Sequence, residues 1–314
     1  MDHFKQIATF VQVVQRGSLS AAARHEGVAP ALVSRRLDGL EARLGVKLLQ
    51  RTTRRVTLTP EGASFVENCQ RILQELQDAE TAVAARGTVA TGQIRVTAPA
   101  GFGRRFVAPL VASFASLHPR INVVLDLSDR IVDLVAEGID CAVRFGDQAD
   151  AALVRTLIGQ SHRAVVASPS YLRRHGTPQA IDDLQRHHCL TLAENNSIAQ
   201  RAWVFQGRSG PSAVRVSGNL TCNDGAVLHA WSLAGLGLAW RSLWEVGEDL
   251  TAGRLVQVLD ELAAPAIPIY CVMPARKHLP VRVRLFVEHV KAAFAAPELL
   301  AALAGEPARK ARES

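Results

Sequence analysis

What this 314-residue chain lacks narrows its chemistry. It contains no stretch of roughly 18 apolar residues, so no membrane-spanning helix is expected. Its opening, "MDHFKQIATFVQVVQRG", mixes charged with apolar residues and has no small-residue cleavage site, so it does not read as an export signal. The expected location is the cytoplasm. The five cysteines, Cys69, Cys141, Cys189, Cys222 and Cys271, are odd in number, widely spaced and without a CxxC pair. That argues against a disulfide framework and a zinc module, and leaves reduced, mostly buried thiols. HExxH and a Walker lysine are absent. "GLGLAW" lacks the third glycine of a dinucleotide fingerprint and reads as a tight helix-to-strand turn. "ASPSY" lacks the flanking glycines of a nucleophile elbow. His187, His188 and Cys189 are consecutive, and a strand points neighbours to opposite faces. No catalytic residue, metal or cofactor is therefore expected.

What is present is charge, unevenly placed. Residues 1–60 hold ten basic and four acidic side chains, a net of +6 out of +7 for the whole chain. A basic lobe on a nearly neutral body suggests a polyanion-binding module joined to something else. Within it, Phe4, Ile7, Ala8, Val11 and Val14 predict a helix over 4–14 that Gly17 ends. Ser18 can cap a short second helix through about Glu26, and Gly27 stops it. Pro30 opens a third helix, over 30–44, whose Val33, Leu37, Leu40 and Leu44 form a buried stripe. Ala31, Ser34, Arg35 and Asp38 share another face, suited to a DNA major groove. The segment about 18–40 thus reads as a helix-turn-helix. "VKLLQR" and "RRVTLT" then form a hairpin wing, with Arg51, Arg54 and Arg55 at its tip. A long helix over roughly 61–86 follows, with Phe65, Cys69, Ile72, Leu76, Ala79 and Val83 near heptad spacing. It suits pairing with its own copy, core for its own domain being the alternative.

After the small linker "RGTVATGQ" the periodicity changes. "IRVTAPA", "INVVLDLS", "DCAVRFG", "RAVVASPS", "AVRVSGN", "GLGLAW" and "IPIYCVMP" read as strands. Helices are expected over 104–117, 130–137, 170–175, 224–235 and 280–296. The alternation implies parallel sheets in an α/β fold with two small subdomains and a cleft. The expected division is 1–60 for the DNA-binding module, 61–90 for the linker helix and hinge, and 91–296 for the α/β body. Within the body, subdomain I covers about 91–162 and 267–296, and subdomain II about 163–266. Residues 297–314 are expected to be a flexible tail.

The N-terminal signature "FVQVVQRGSLSAAARHEGVAPALVSRRLDGLEARLGVKLLQRTTRRVTLTPEG" resembles that of LysR-type transcriptional regulators in order, spacing and residue type. "APAGFGRRFVAPLVASF", "EGIDCAVRFG" and "CNDGAVLHAWSLAGLGLAW" resemble the effector-binding domain of that family. The resemblance implies a winged helix-turn-helix, a long linker helix, and a C-terminal two-subdomain effector domain like periplasmic binding proteins. It implies a homodimer through the linker helix, assembling to a homotetramer on promoter DNA. It also implies base reading through Pro30, Ala31, Ser34 and Arg35, with Arg36 on phosphate. "RTTRR" and "PAGFGRR" resemble a branch that often regulates aromatic-acid or aldehyde efflux and degradation. Two positions depart from the pattern: Ala29 and Ala31 stand where the family commonly has Ser or Thr, and Ser. Ala29 removes about 1 kcal/mol of helix capping unless another group supplies it.

Further site residues follow from position. Ser18 and Ser20, with Arg51, Thr52, Thr53 and Arg54 of the wing, are placed for phosphate contacts. Ligands of open α/β sheets bind where strand ends meet helix starts. Pro99, Ala100, Gly101, Phe102 and Gly103 lie at such a junction, and their backbone N–H groups suit a carboxylate. Ser128, Arg144 and Phe145 follow neighbouring strands; Thr221, Asn223 and Asp224 stand at a comparable junction in subdomain II. Arg144 as a structural ion pair, and Asn223 or Asp224 as helix caps, are equal alternatives. The expected effector is small, and aromatic or a carboxylate. The rival classes are a solute-binding or enzymatic α/β protein with an appended nucleic-acid module, and a DNA-packaging protein.

Overall fold

The computed structural model describes residues 2–51, 56–84, 90–146, 150–193, 202–207, 210–262, 265–275 and 279–306. The chain separates into two compact units, Met1–Val89 and Ala90–Ser314. Among the described residues no helix is long and apolar enough to cross a membrane.

The first unit contains helices α1 (His3–Arg16), α2 (Leu19–Glu26) and α3 (Pro30–Leu44), strands β1 (Leu49–Arg51) and β2 (Val56–Leu58), and helix α4 (Pro60–Ala84). Local chemistry sets the ends. Phe4 N–H donates to Asp2 at 3.0 Å, and Ala21 N–H donates to Ser18 Oγ at 3.1 Å. Gly27 turns the chain between α2 and α3 at φ +65°, where a β-carbon is strained. The small Ala22 and Ala23 are buried and let α2 approach α3 closely. Val33, Leu37 and Leu40 are buried with Phe10, Val13 and Leu48, the stripe that the spacing predicts. The alternatives for α4 divide along its length. Phe65, Val66 and Cys69 belong to this unit's core, whereas Ile72 and Leu76 are exposed. The side chains of Ala79 and Val83 lie outside the described residues.

The second unit holds two five-stranded sheets. The first has the order β4-β3-β5-β14-β6, with β3 (Gly92–Ala98), β4 (Ile121–Leu127), β5 (Cys141–Phe145), β6 (Leu153–Ser161) and β14 (Ile267–Pro274). The second has the order β11-β8-β12-β7-β13, with β7 (Arg163–Ala167), β8 (Cys189–Leu192), β11 (Thr221–Cys222), β12 (Leu238–Ser242) and β13 (Val256–Val258). The remaining strands, β9 (Ala202–Gly207) and β10 (Gly210–Arg215), form a separate hairpin. Both sheets are mixed rather than parallel: β14 runs antiparallel to β5 and β6, and β7 to β12 and β13. The cause is topological. β14 arrives from the second sheet and β7 from the first, each entering against the local βαβ direction. His162 alone separates β6 from β7.

Around the first sheet lie α5 (Ala100–Phe102), a π-helical turn (Gly103–Val107), α6 (Ala108–Leu117), α10 (Val281–Phe294) and α11 (Pro297–Leu303). Around the second lie α7 (Pro169–His175), α8 (Gly225–Leu233) and α9 (Leu243–Thr251). Two expected elements differ. Residues 130–137 make turns, not a helix: Glu137 N–H bonds the Asp133 carbonyl at 3.0 Å, and Gly138 at φ +65° stops propagation. The proposed tail forms α11 instead, and Leu303, 2% exposed, packs into the core of the first subdomain. Residues 307–314 lie outside the described residues. Four of the five cysteines are buried, and burial pushes the Cys69 and Cys189 thiols up to about 11 and about 12.

Candidate DNA interface and effector cleft

The buried stripe of α3 leaves the opposite face in water. Ala31, Arg35 and Asp38 are exposed there, and Ser34 Oγ donates to Asp38 at 3.3 Å. Arg35 has no hydrogen-bond or ion-pair partner among the described residues. Pro30 is exposed in the first turn, Ala29 makes no side-chain cap, and no side chain among the described residues bonds the first amides of α3. Arg36 is placed differently from the phosphate contact expected of it. Its side chain is 16% exposed and its guanidinium holds Glu26 at 2.6 Å and Thr9 at 3.1 Å, tying α3 to α1 and α2. Ser18 caps α2 and Ser20 is exposed. A hydroxyl that accepts a cap hydrogen bond still has its own proton to donate. Thr52, Thr53 and Arg54, and the side chain of Arg51, lie outside the described residues.

The wing is anchored by groups that the spacing alone did not single out. Glu41, 3% exposed, accepts from Leu48 N–H at 3.0 Å, Leu49 N–H at 3.2 Å and Lys47 Nζ at 2.7 Å. Burial opposes ionisation of Glu41, but the lysine and the two amides outweigh it, so its pKa lies below the ordinary value. Thr59 donates to the Lys47 carbonyl at 2.7 Å and accepts from Gly62 N–H at 3.0 Å. A β-carbon on Gly62 would lie 2.0 Å from the Leu48 carbonyl oxygen. These contacts account for the threonine and glycine of "LTPEG".

In the second unit a cavity of about 100 Å³ opens between the sheets. Of the expected residues, Pro99, Gly101, Phe102 and Phe145 line it; Ala100, Gly103, Ser128, Arg144, Thr221, Asn223 and Asp224 do not. Their bonds explain why. Ala100 N–H donates to Asp129 Oδ1 at 2.9 Å, so the carboxylate expected from a ligand comes from the protein itself. Gly103 N–H bonds the Pro99 carbonyl at 2.6 Å, and a β-carbon there would meet Leu127 at 2.3 Å. Ser128 Oγ accepts from Arg130 N–H, and Thr221 shares a 2.7 Å hydrogen bond with Thr191. Asp224 is a helix cap, accepting from Ala226 N–H at 2.7 Å. Arg144 makes no ion pair among the described residues. It is 8% exposed, donates through Nη1 to the Val143 carbonyl, and leaves Nη2 buried without a partner. Burial lowers its pKa, against the pull of Asp129 and Asp126.

The rest of the lining comes chiefly from subdomain II: Arg163, Arg241, Trp244 and Glu245, with Asp129 opposite. Arg241 grips Glu245 through Nη2 at 2.5 Å and Nε at 3.0 Å. Gly225 makes room for it, since a β-carbon there would touch the guanidinium at 2.1 Å. Behind the pair, His229 Nε2 lies 2.8 Å from Asp249, which also holds Arg254. Trp244 stands on α9 yet packs edge-on against Phe102 and Phe106 of subdomain I, with its Nε1–H buried and unpartnered. "LAWRSLWE" is another strand-to-helix junction, the signal that would have found Arg241, Trp244 and Glu245.

Residues 4–63 match the family described as "Bacterial regulatory helix-turn-helix protein, lysR family", and residues 87–295 match "LysR substrate binding domain". The chain belongs to the LysR family. This LysR-type regulator is 38% identical over 289 residues to the HTH-type transcriptional regulator DmlR of Escherichia coli K12, covering 92% of this chain and 94% of that one. It resembles the solved structure of CrgA, a LysR-type transcriptional regulator from Neisseria meningitidis, at 33% identity, with a TM-score of 0.59 over 93% and 99% of the two chains. The full-length structure of AphB, a virulence activator from Vibrio cholerae, gives a TM-score of 0.59 at 28% identity, over 93% and 99%. The protein is therefore a DNA-binding transcriptional regulator with an effector-binding domain, in a family that is not enzymatic. The enzymatic, solute-binding and packaging alternatives fall away.

Proposed function

We propose that α3 reads its operator through Pro30, Ala31, Ser34 and Arg35, with Ser18, Ser20, Arg51, Thr52, Thr53 and Arg54 on phosphate. The observation that carries this reading is Arg35: exposed, without a partner among the described residues, and mounted on a helix whose other side is locked in the core. A guanidinium can bond guanine O6 and N7 together. Arg35→Ala should lower specific affinity by about 1–3 kcal/mol and relax selectivity at one base pair. An unchanged footprint and affinity reject the role. Arg36, spent on Glu26, is left out of the contact set.

The regulator acts in the cytoplasm as a homodimer through α4, whose exposed Ile72 and Leu76 support pairing, and assembles further to a homotetramer. Its effector is a small aromatic or carboxylate compound held in the cleft. Phe102, Phe145 and Trp244 supply an aromatic wall, and Arg163 and Arg241 supply cations. Calorimetry with benzoate and succinate tests the class; binding of neither removes its support.

A further inference from the structure

A second concavity is larger than the cleft. β6, α10 and α11 border an open groove of about 540 Å³, within the range of small-molecule sites. Phe294 and Leu303 form its buried wall, while Leu157 and Leu300 are 51% and 48% exposed. No Asp or Glu among the described residues lines it. Its ionisable side chains are His162 and Lys291, both exposed and neither paired with another side chain among the described residues. β6 is an edge strand with no neighbour beyond it.

We propose that this groove binds a small amphipathic carboxylate. The apolar body covers Leu157 and Leu300, the carboxylate meets Lys291 in a charge-assisted contact, and the His162 ring offers a hydrogen bond. The volume accommodates a medium-chain or aromatic acid. The position gives the site a regulatory consequence. His162 lines the groove, while the next residue, Arg163, lines the cleft. The His162 carbonyl also accepts from Leu243 N–H at 2.8 Å, and Leu243 sits between the cleft residues Ser242 and Trp244. An occupant braces this joint, so groove and cleft ligands alter each other's affinity reciprocally. That coupling rests on the effector reading of the cleft; the groove site does not.

The test is calorimetry on the full chain with octanoate, and with octanol and acetate as probes lacking the charge or the body. Octanoate should bind at least about tenfold more tightly than either. Lys291→Glu and Leu157→Asp, both at exposed positions, should each weaken it about tenfold with the circular dichroism spectrum unchanged. Ala226→Trp, which fills the cleft, should shift octanoate affinity through the joint without abolishing binding. Equal affinity for octanol, or no heat at millimolar ligand, overturns the proposal. So does binding lost in Ala226→Trp but kept in Lys291→Glu, which assigns the ligand to the cleft. A changed sedimentation coefficient in Leu157→Asp without ligand overturns it as well, by making the groove an interface between copies.

Discussion

The two units handle charge in opposite ways. In the DNA-binding unit Arg24 and Arg35 are exposed and unpaired among the described residues, while the carboxylates Glu26 and Glu41 are drawn inward to Arg36, Lys47 and backbone amides. In the effector unit charged groups at and behind the cleft are held by partners within the protein: Arg241 by Glu245, Arg254 by Asp249, Asp129 by the Ala100 amide. A surface that meets a polyanion keeps its cations in reserve, because each phosphate it neutralises releases counterions. Pairing suits a cleft with low-dielectric walls, because an unpaired buried ion is costly; Arg144, 8% exposed and next in the chain to the lining Phe145, departs from the pattern.

The largest expected effect tests whether the units are as separate as their cores. Trp244→Ala removes an aromatic that ties α9 to Phe102 and Phe106, and should cost about 3–5 kcal/mol. Differential scanning calorimetry should show the effector-unit transition falling while that of the DNA-binding unit stays; a joint shift would break the contrast. Next comes Glu41→Gln, which discharges the wing anchor and should cost about 1.5–3 kcal/mol. Because the folded pKa of Glu41 lies below its ordinary 4.5, its contribution is full above that value and is lost as pH falls through the folded pKa. Acid titration of the DNA-binding unit's melting temperature should therefore be flatter in the variant. The smallest effect belongs to His187, beside the Tyr171 hydroxyl at 3.1 Å. Burial, reinforced by His175, lowers its pKa below 6.5. The unfolded chain then binds the proton more readily, so stability declines as pH drops below 6.5. Melting temperatures between pH 7.5 and 5.5 should fall less in His187→Asn than in the parent.

Legibility follows the same contrast. The helix-turn-helix shows in the sequence because its stripe, its caps and its glycine stops all lie within forty-odd consecutive residues and agree. The cleft draws on junctions scattered from Pro99 to Glu245, and pairing decides which side chain faces it. Asp224 and Ala100 sit at the expected junctions but are engaged internally, while Trp244 comes from the opposite subdomain. Residues 130–137 mislead because Ile131 and Val135, which suggest a helix, are exposed. The C-terminal alanines hide the leucines that dock α11, Leu299 and Leu303.

The joint between β6 and β7 has no slack. Ser161 pairs with Ile267 in one sheet, and Arg163 pairs with Ser242 in the other, so a single residue spans two registers. An insertion there has nowhere to loop out without unpairing one side, whereas an added residue between β9 and β10 disturbs only a two-stranded ribbon. Across the length variation that relatives accumulate, this crossing should therefore keep its residue count even where neighbouring loops do not.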